Sequence, residues 1–285
     1  MKVVVTEILD DLRDLYRIED RFRRFEAYVS LSSGKARGGG KARGEPLPLG
    51  TFSPMGQRQA GYLEQLIAMG AEGLAQVAAD EVAEAFADLT DRFRLMLVVA
   101  DVPKNGWTER QLTDAEWRFT LKNDTLPEST MPTNFDRWVS VLLWTDTEAT
   151  KAYVESEVRG ALYRALHHRY VGAPRTLTLG EMMRQEGRVL AYAGYVPKPD
   201  VDLDYSRVVI APYLQSTEFP VCFAALYGDA AARQVGYDAL GLAADAGFQL
   251  ALHDTLADET RTSLILRMQA GNKQVAPHLN TQTVF

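Results

Sequence analysis

One cysteine, Cys222, and four histidines are all that 285 residues offer for thiolate or imidazole chemistry. A lone cysteine excludes an internal disulfide and any cysteine-based zinc cluster. Its setting, Pro220-Val221-Cys222-Phe223-Ala224, reads as a small buried hydrophobe. Long apolar runs are also missing. The longest, residues 221–227, is far shorter than the roughly 20 residues that cross a bilayer. The opening Lys2-Val3-Val4-Val5 passes straight into Glu7, Asp10 and Asp11, without the pattern of a secretory signal. The expectation is a cytoplasmic protein with no membrane partner. Basic excess is absent too: 31 Lys and Arg face 38 Asp and Glu, giving a net charge of -7. That balance argues against nucleic acid as the main partner, because phosphate binding needs a basic face. The sequence has no phosphate loop, dinucleotide glycine fingerprint, nucleophile elbow or zinc-binding helix motif, so no reaction is spelled out.

What is present is ordinary globular material, 46% hydrophobic and 24% charged, long enough for a large core. Residues 6–29 carry Ile8, Leu12, Leu15, Ile18, Phe22, Phe25 and Val29 at spacings of three and four, with charges on the other faces. This predicts one N-terminal amphipathic helix of roughly six turns. Its narrow stripe suits either packing on its own domain or a self-association seam that would make a homo-oligomer. Residues 34–44 contain Gly-Lys-Ala-Arg-Gly twice and no large apolar side chain. Such a segment reads as an exposed, flexible basic loop open to trypsin. The expected division is therefore residues 1–45, helix and loop, and residues 46–285, a single α/β domain.

Within that domain the pattern alternates. Helices are expected over residues 57–69 and 74–89, split near Gly70 and Gly73. The runs 93–103 and 138–144 read as strands buried on both faces, as in a parallel sheet. A long helical pattern follows through His167 and His168 and breaks at Gly172-Ala173-Pro174. Thr113-x-x-Glu116, Thr145-x-x-Glu148 and Thr178-x-x-Glu181 each have the form of a capping box. Later runs at 208–210, 220–227, 248–252 and 263–268 have strand or buried-helix character. The fold class these imply is α/β, a mostly parallel central sheet flanked by helices.

Four apolar runs end in an aspartate within two residues: Asp101, Asp146, Asp229 and Asp254. In open α/β sheets ligands sit outside the carboxyl ends of the strands. Acids gathered there could act as acid and base or hold a divalent cation such as Mg²⁺. Asp is also a preferred helix cap, which is the plainer reading of Asp146 and Asp229. Helical geometry puts His168 at the edge of an apolar face and His167 on the opposite, solvated side. His253 beside Asp254 has the form of a neutral base next to its orienting acid. The candidate catalytic residues are thus Asp101, Asp146, His168 and His253, and the candidate metal ligands are Asp101, Asp146 and Asp254. The function expected is an acid/base or divalent-metal-assisted enzyme acting on a small-molecule ligand. The alternative is a non-enzymatic scaffold or assembly protein that self-associates through the N-terminal helix.

Overall fold

The computed structural model describes residues 1–34, 46–56, 58–101, 109–119, 137–170 and 176–258. Three strands, β1 (Lys2–Val5), β2 (Arg92–Ala100) and β3 (Arg137–Trp144), form one sheet in the order β1-β2-β3, every pairing parallel. Between β1 and β2 the chain makes α1 (Leu9–Tyr16), α2 (Arg21–Ser32), α3 (Gln59–Ala68) and α4 (Ala71–Ala85). Between β2 and β3 it makes α5 (Arg110–Phe119). After β3 come α6 (Lys151–Tyr170), α7 (Leu179–Tyr192), α8 (Leu203–Ile210), α9 (Phe219–Tyr227), α10 (Asp229–Gln234) and α11 (Ala246–Ala257). The chain is mixed α/β, with helices far outnumbering strands among the described residues.

Strand β2 is buried from Leu95 to Ala100 because apolar residues occupy both of its faces, as the continuous run predicts. Its register sets Ala100 beside Trp144, so β2 and β3 end level with each other. Helix α4 packs on β1, and α6 packs on both β3 and α4. The core they share takes in Leu63, Leu66, Phe86, Val98, Leu143, Leu162 and Leu166, along with Val3, Ile8, Leu12 and Leu15. A second apolar cluster joins α7, α8, α9 and α11 around Met183, Ile210, Phe223, Leu226 and Leu250. Cys222 lies in it at 1% exposure, and burial pushes its thiol up to about 11. Among the described residues no helix is long and apolar enough to cross a membrane.

Several expectations change. The single helix over residues 6–29 is two helices, because the Asp20 carboxylate accepts from the Arg23 amide at 2.8 Å and starts a new one. The Ile18 carbonyl left at the break is taken by the Arg24 guanidinium at 2.8 and 3.0 Å. Helix α1 buries Leu9, Leu12 and Leu15, while α2 has no buried residue. The runs at 208–210, 221–227 and 248–252 are helical. Periodicity is invisible in α9 and α11, which are covered all round over these runs, and 208–210 is too short to show a period, with Val208 74% exposed beside buried Ile210. The termini were legible instead, as Pro220 stands in the first turn of α9 and Gly228 ends it at φ 82°. Of the three capping boxes only Thr178–Glu181 forms. Thr113 lies buried inside α5. Helix α6 starts later than the Thr145 box predicted, where the Thr150 hydroxyl accepts from the Tyr153 amide at 3.1 Å. The basic loop at 34–44, Gly34 apart, and the run at 263–268 lie outside the described residues.

Candidate functional site

The level ends of β2 and β3 put Asp101 and Thr145 side by side. The Thr145 amide donates to the Ala100 carbonyl at 3.0 Å, and its hydroxyl donates to Asp101 Oδ1 at 2.6 Å. The next residue, Asp146, turns to α5 and forms an ion pair with Arg110. That guanidinium lies 5.5 Å from the Trp144 ring centroid and also reaches the Thr147 hydroxyl at 3.5 Å. Asp101 and Asp146 thus stand at the carboxyl ends of adjacent parallel strands.

On the other side of Asp101 the segment before α3 closes in. A Cβ on Gly56 would stand 3.1 Å from Asp101 Oδ2 and would press on the end of the Gln59 side chain, which would have to shift. Gln59 is fully buried and donates to the Val99 carbonyl at 3.1 Å, pinning α3 to β2. The Tyr16 hydroxyl lies between Gln59 Oε1 and the Ser53 carbonyl, 2.8 Å away, and has one proton to give them. Burial pushes the Tyr16 phenol well above its ordinary value, with Arg24 opposing and Asp101 assisting, so it stays protonated. A pocket of about 660 Å³ opens beside these residues, lined by Tyr16, Arg21, Phe22, Arg24, Met55 and Gly56.

Polar groups continue from Arg110 into the helices. Burial raises the Tyr62 phenol to about 12, with Asp146 and Glu157 adding to the effect. Its buried hydroxyl has no hydrogen-bond partner. The Tyr153 hydroxyl accepts from the Trp144 amide at 3.2 Å. One turn on, Glu157 is pushed up by burial against the pull of Arg118, and accepts from the Tyr195 hydroxyl at 2.6 Å. Deeper still, Glu186 is fully buried between Arg118, at 2.5 Å, and Arg164, which grips both carboxylate oxygens at 2.8 Å. Burial alone would raise this carboxyl, but Arg164 and Arg118 outweigh it and hold it well below the usual range. Arg118 also binds Asp114 at 2.5 Å, and the Tyr227 hydroxyl donates to the same Asp114 oxygen at 2.8 Å. This network ties α5, α6, α7 and α9 together.

The remaining candidates sit apart from the strand ends in the fold's own bookkeeping. His168, on α6, has Nε2 3.1 Å from Gln185 Oε1, in the network around Glu186. His253 and Asp254 are helical, in α11, with a ring-to-carboxylate distance of 3.3 Å. Asp254 is gripped by Arg207 at 2.6 and 2.9 Å. Asp229 opens α10 and gathers the amides of Leu240, Gly241 and Leu242 at 3.0 Å, serving as a loop clamp. Asp101, Asp146 and Asp254 do not gather into a metal-holding group, and no other set of three His, Cys, Asp or Glu does so among the described residues.

His167 reverses its expected role. Helices α4 and α7 both pack on α6, so the side opposite the apolar face is covered as well. His167 is 6% exposed, neither ring nitrogen has a partner, and burial lowers its pKa to about 3, with Arg188 and His168 adding to the effect. Tyr153, Glu157, Arg164 and His168 recur at helical spacing along α6, a polar stripe that was readable in the sequence. Its partners on α5 and α7 were not, because Arg118 and Glu186 are 68 positions apart.

The chain matches no protein-family model, no curated protein and no solved structure in the comparisons made. The functional reading therefore rests on the geometry at the carboxyl edge of the sheet.

Proposed function

We propose that this chain is an acid–base enzyme acting on a small molecule at the carboxyl edge of its parallel sheet, with Asp101 transferring the proton. The observation that carries the reading is the setting of Asp101. Thr145 fixes Oδ1, while Oδ2 lies behind Gly56, a residue that lines the pocket. A general base needs one oxygen oriented and the other within reach of substrate. Asp146, on the neighbouring strand end, forms a matched ion pair with Arg110 of α5. Acid–base chemistry is preferred to cation-assisted chemistry because Asp146 already has its counter-charge, which leaves Asp101 alone to face a metal. Millimolar Mg²⁺ or Mn²⁺ is accordingly expected to leave the melting temperature unchanged.

The test is a turnover screen. Wild type and Asp101→Asn are each incubated with a small-molecule cell extract, and depletion is followed by mass spectrometry. Asparagine can still accept from Thr145, so the variant should melt within a few degrees of wild type. The expected result is at least one compound consumed by wild type and slowed about 10²- to 10⁴-fold by the substitution. Equal depletion by both proteins, or by neither, sinks the reading.

One observation favours the scaffold alternative as a second reading. Helix α2 exposes Phe22 at 67% and Val29 at 47%, an apolar face that no described residue of its own chain covers. Self-association through α2, not through a longer N-terminal helix, is the form this alternative takes.

A further inference from the structure

We propose that the pocket between α2 and the carboxyl edge binds a phosphorylated small molecule carrying a flat ring, a nucleoside monophosphate in size and chemistry. The proposal deepens the acid–base reading by naming its substrate class. The volume, about 660 Å³, lies within the roughly 300–1,000 Å³ of small-molecule sites.

Two guanidiniums, Arg21 and Arg24, line this pocket, and no carboxylate lines it among the described residues. Neither arginine has a carboxylate partner there, in a chain whose other arginines on α1, α5 and α6 are matched by acids. Arg24 is held before any ligand arrives. Nε and Nη2 donate to the Ile18 carbonyl, Nη1 donates to the Pro54 carbonyl at 3.4 Å, and the group lies 5.3 Å from the Tyr16 ring centroid. A guanidinium has five N–H donors, so two remain for an anion. A pre-placed, uncompensated guanidinium beside a second one is phosphate-binding chemistry.

The rest of the lining is aromatic or apolar: Tyr16, Phe22 and Met55. Phe22 is 67% exposed, with the Arg21 guanidinium 5.0 Å from its ring centroid. An exposed ring backed by a cation is a stacking platform for a planar group. Gly56 completes the lining, and Asp101 Oδ2 stands just behind it. Phosphate on the arginines and ring on Phe22 is an arrangement the lining residues satisfy together, with Asp101 standing behind Gly56.

The experiment is calorimetric titration of the intact chain with AMP, adenosine and inorganic phosphate, in wild type, Arg21→Met, Arg24→Lys and Asp101→Asn. AMP is expected to bind at least about tenfold more tightly than either fragment, since each supplies one half of the contacts. Among the described residues Arg21 holds no hydrogen bond through its side chain, so Arg21→Met should melt like wild type while weakening AMP about tenfold. Arg24→Lys keeps the charge, guards against misfolding, and should weaken AMP by a similar factor because the fork is lost. Asp101→Asn removes a negative charge beside the site and should bind AMP as well as wild type or better. Binding that survives while turnover is absent in every protein would sink the catalytic reading and leave this one standing. No heat with AMP or phosphate at millimolar concentration, or AMP binding unchanged in both arginine variants, overturns the proposal.

Discussion

Thr145 donates its hydroxyl proton to Asp101 Oδ1 at 2.6 Å, tying the first residue beyond β3 to the first residue beyond β2. This bond fixes the carboxylate on which the proposed chemistry depends. Thr145→Val should lower the unfolding free energy by about 1 kcal/mol, the usual net worth of such a bond at a partly exposed site. Thr145→Ser should recover most of it. Urea titration of the three proteins measures the difference, and a valine variant as stable as wild type would mean the bond does not hold Asp101.

The start of α6 separates two roles that the sequence ran together. Thr150 receives the Tyr153 amide, whereas Asp146 pairs with Arg110 and is about one-third exposed. Thr150→Ala is therefore expected to cost about 1 kcal/mol, the typical loss of an N-cap. Asp146→Ala should cost less, because pairs this exposed are worth roughly 0–1 kcal/mol. Thermal melting of both variants decides it. The reverse order would return the capping role to Asp146.

His167 gives the fold an acid-sensitive point. Its folded pKa, about 3, lies below the ordinary value near 6.5, so between those limits the unfolded chain binds a proton that the folded chain refuses. Stability is then fully present above pH 6.5 and declines as pH falls toward 3. At pH 5 the loss relative to pH 7 amounts to roughly 2 kcal/mol from this residue. His167→Leu, which fills similar space and removes two unpartnered nitrogens, should show a correspondingly shallower decline. Urea midpoints at pH 7 and pH 5 give the comparison, and parallel declines in the two proteins would refute it.

Leu15 and Phe22 share a stripe in the sequence and part company in the fold, one fully buried on α1 and the other 67% exposed on α2. Leu15→Glu should unfold the chain, since an unpaired charge in the core costs several kcal/mol. Phe22→Glu with Val29→Glu should leave the melting temperature nearly unchanged. If the chain self-associates through α2, the same double variant should lower its mass in light scattering. An oligomer that persists in it places the seam elsewhere.

The legible parts of the fold were those with one-dimensional signatures. Strands β2 and β3 announce themselves as apolar runs stopped by Asp101 and by Thr145-Asp146, and the segment between them is long enough for a parallel crossover. That put Asp101 and Asp146 on neighbouring strand ends from sequence alone. Strand β1 was too short to display a period. Helices α9 and α11 were ambiguous for a physical reason: Cys222 to Tyr227 and Ala246 to Leu252 are buried on every side, which erases the helical stripe. The pocket was not readable either. It depends on the break at Asp20, which turns Arg21, Phe22 and Arg24 toward Tyr16 and Gly56, and an unbroken helix would have sent them elsewhere.

The placement of β1 sets an order of events during synthesis. Lys2 to Val5 are made well before their partners, Arg92 to Leu95. At roughly 5–20 residues per second the edge strand waits about 5–20 s before anything exists to pair with it. During that interval Val3 has no β2 beside it, although α1 can already pack on α2 and α3 through local contacts. A ribosome stalled anywhere before residue 92 therefore holds a sticky, half-finished chain, and it is in this window that a holding chaperone would meet it.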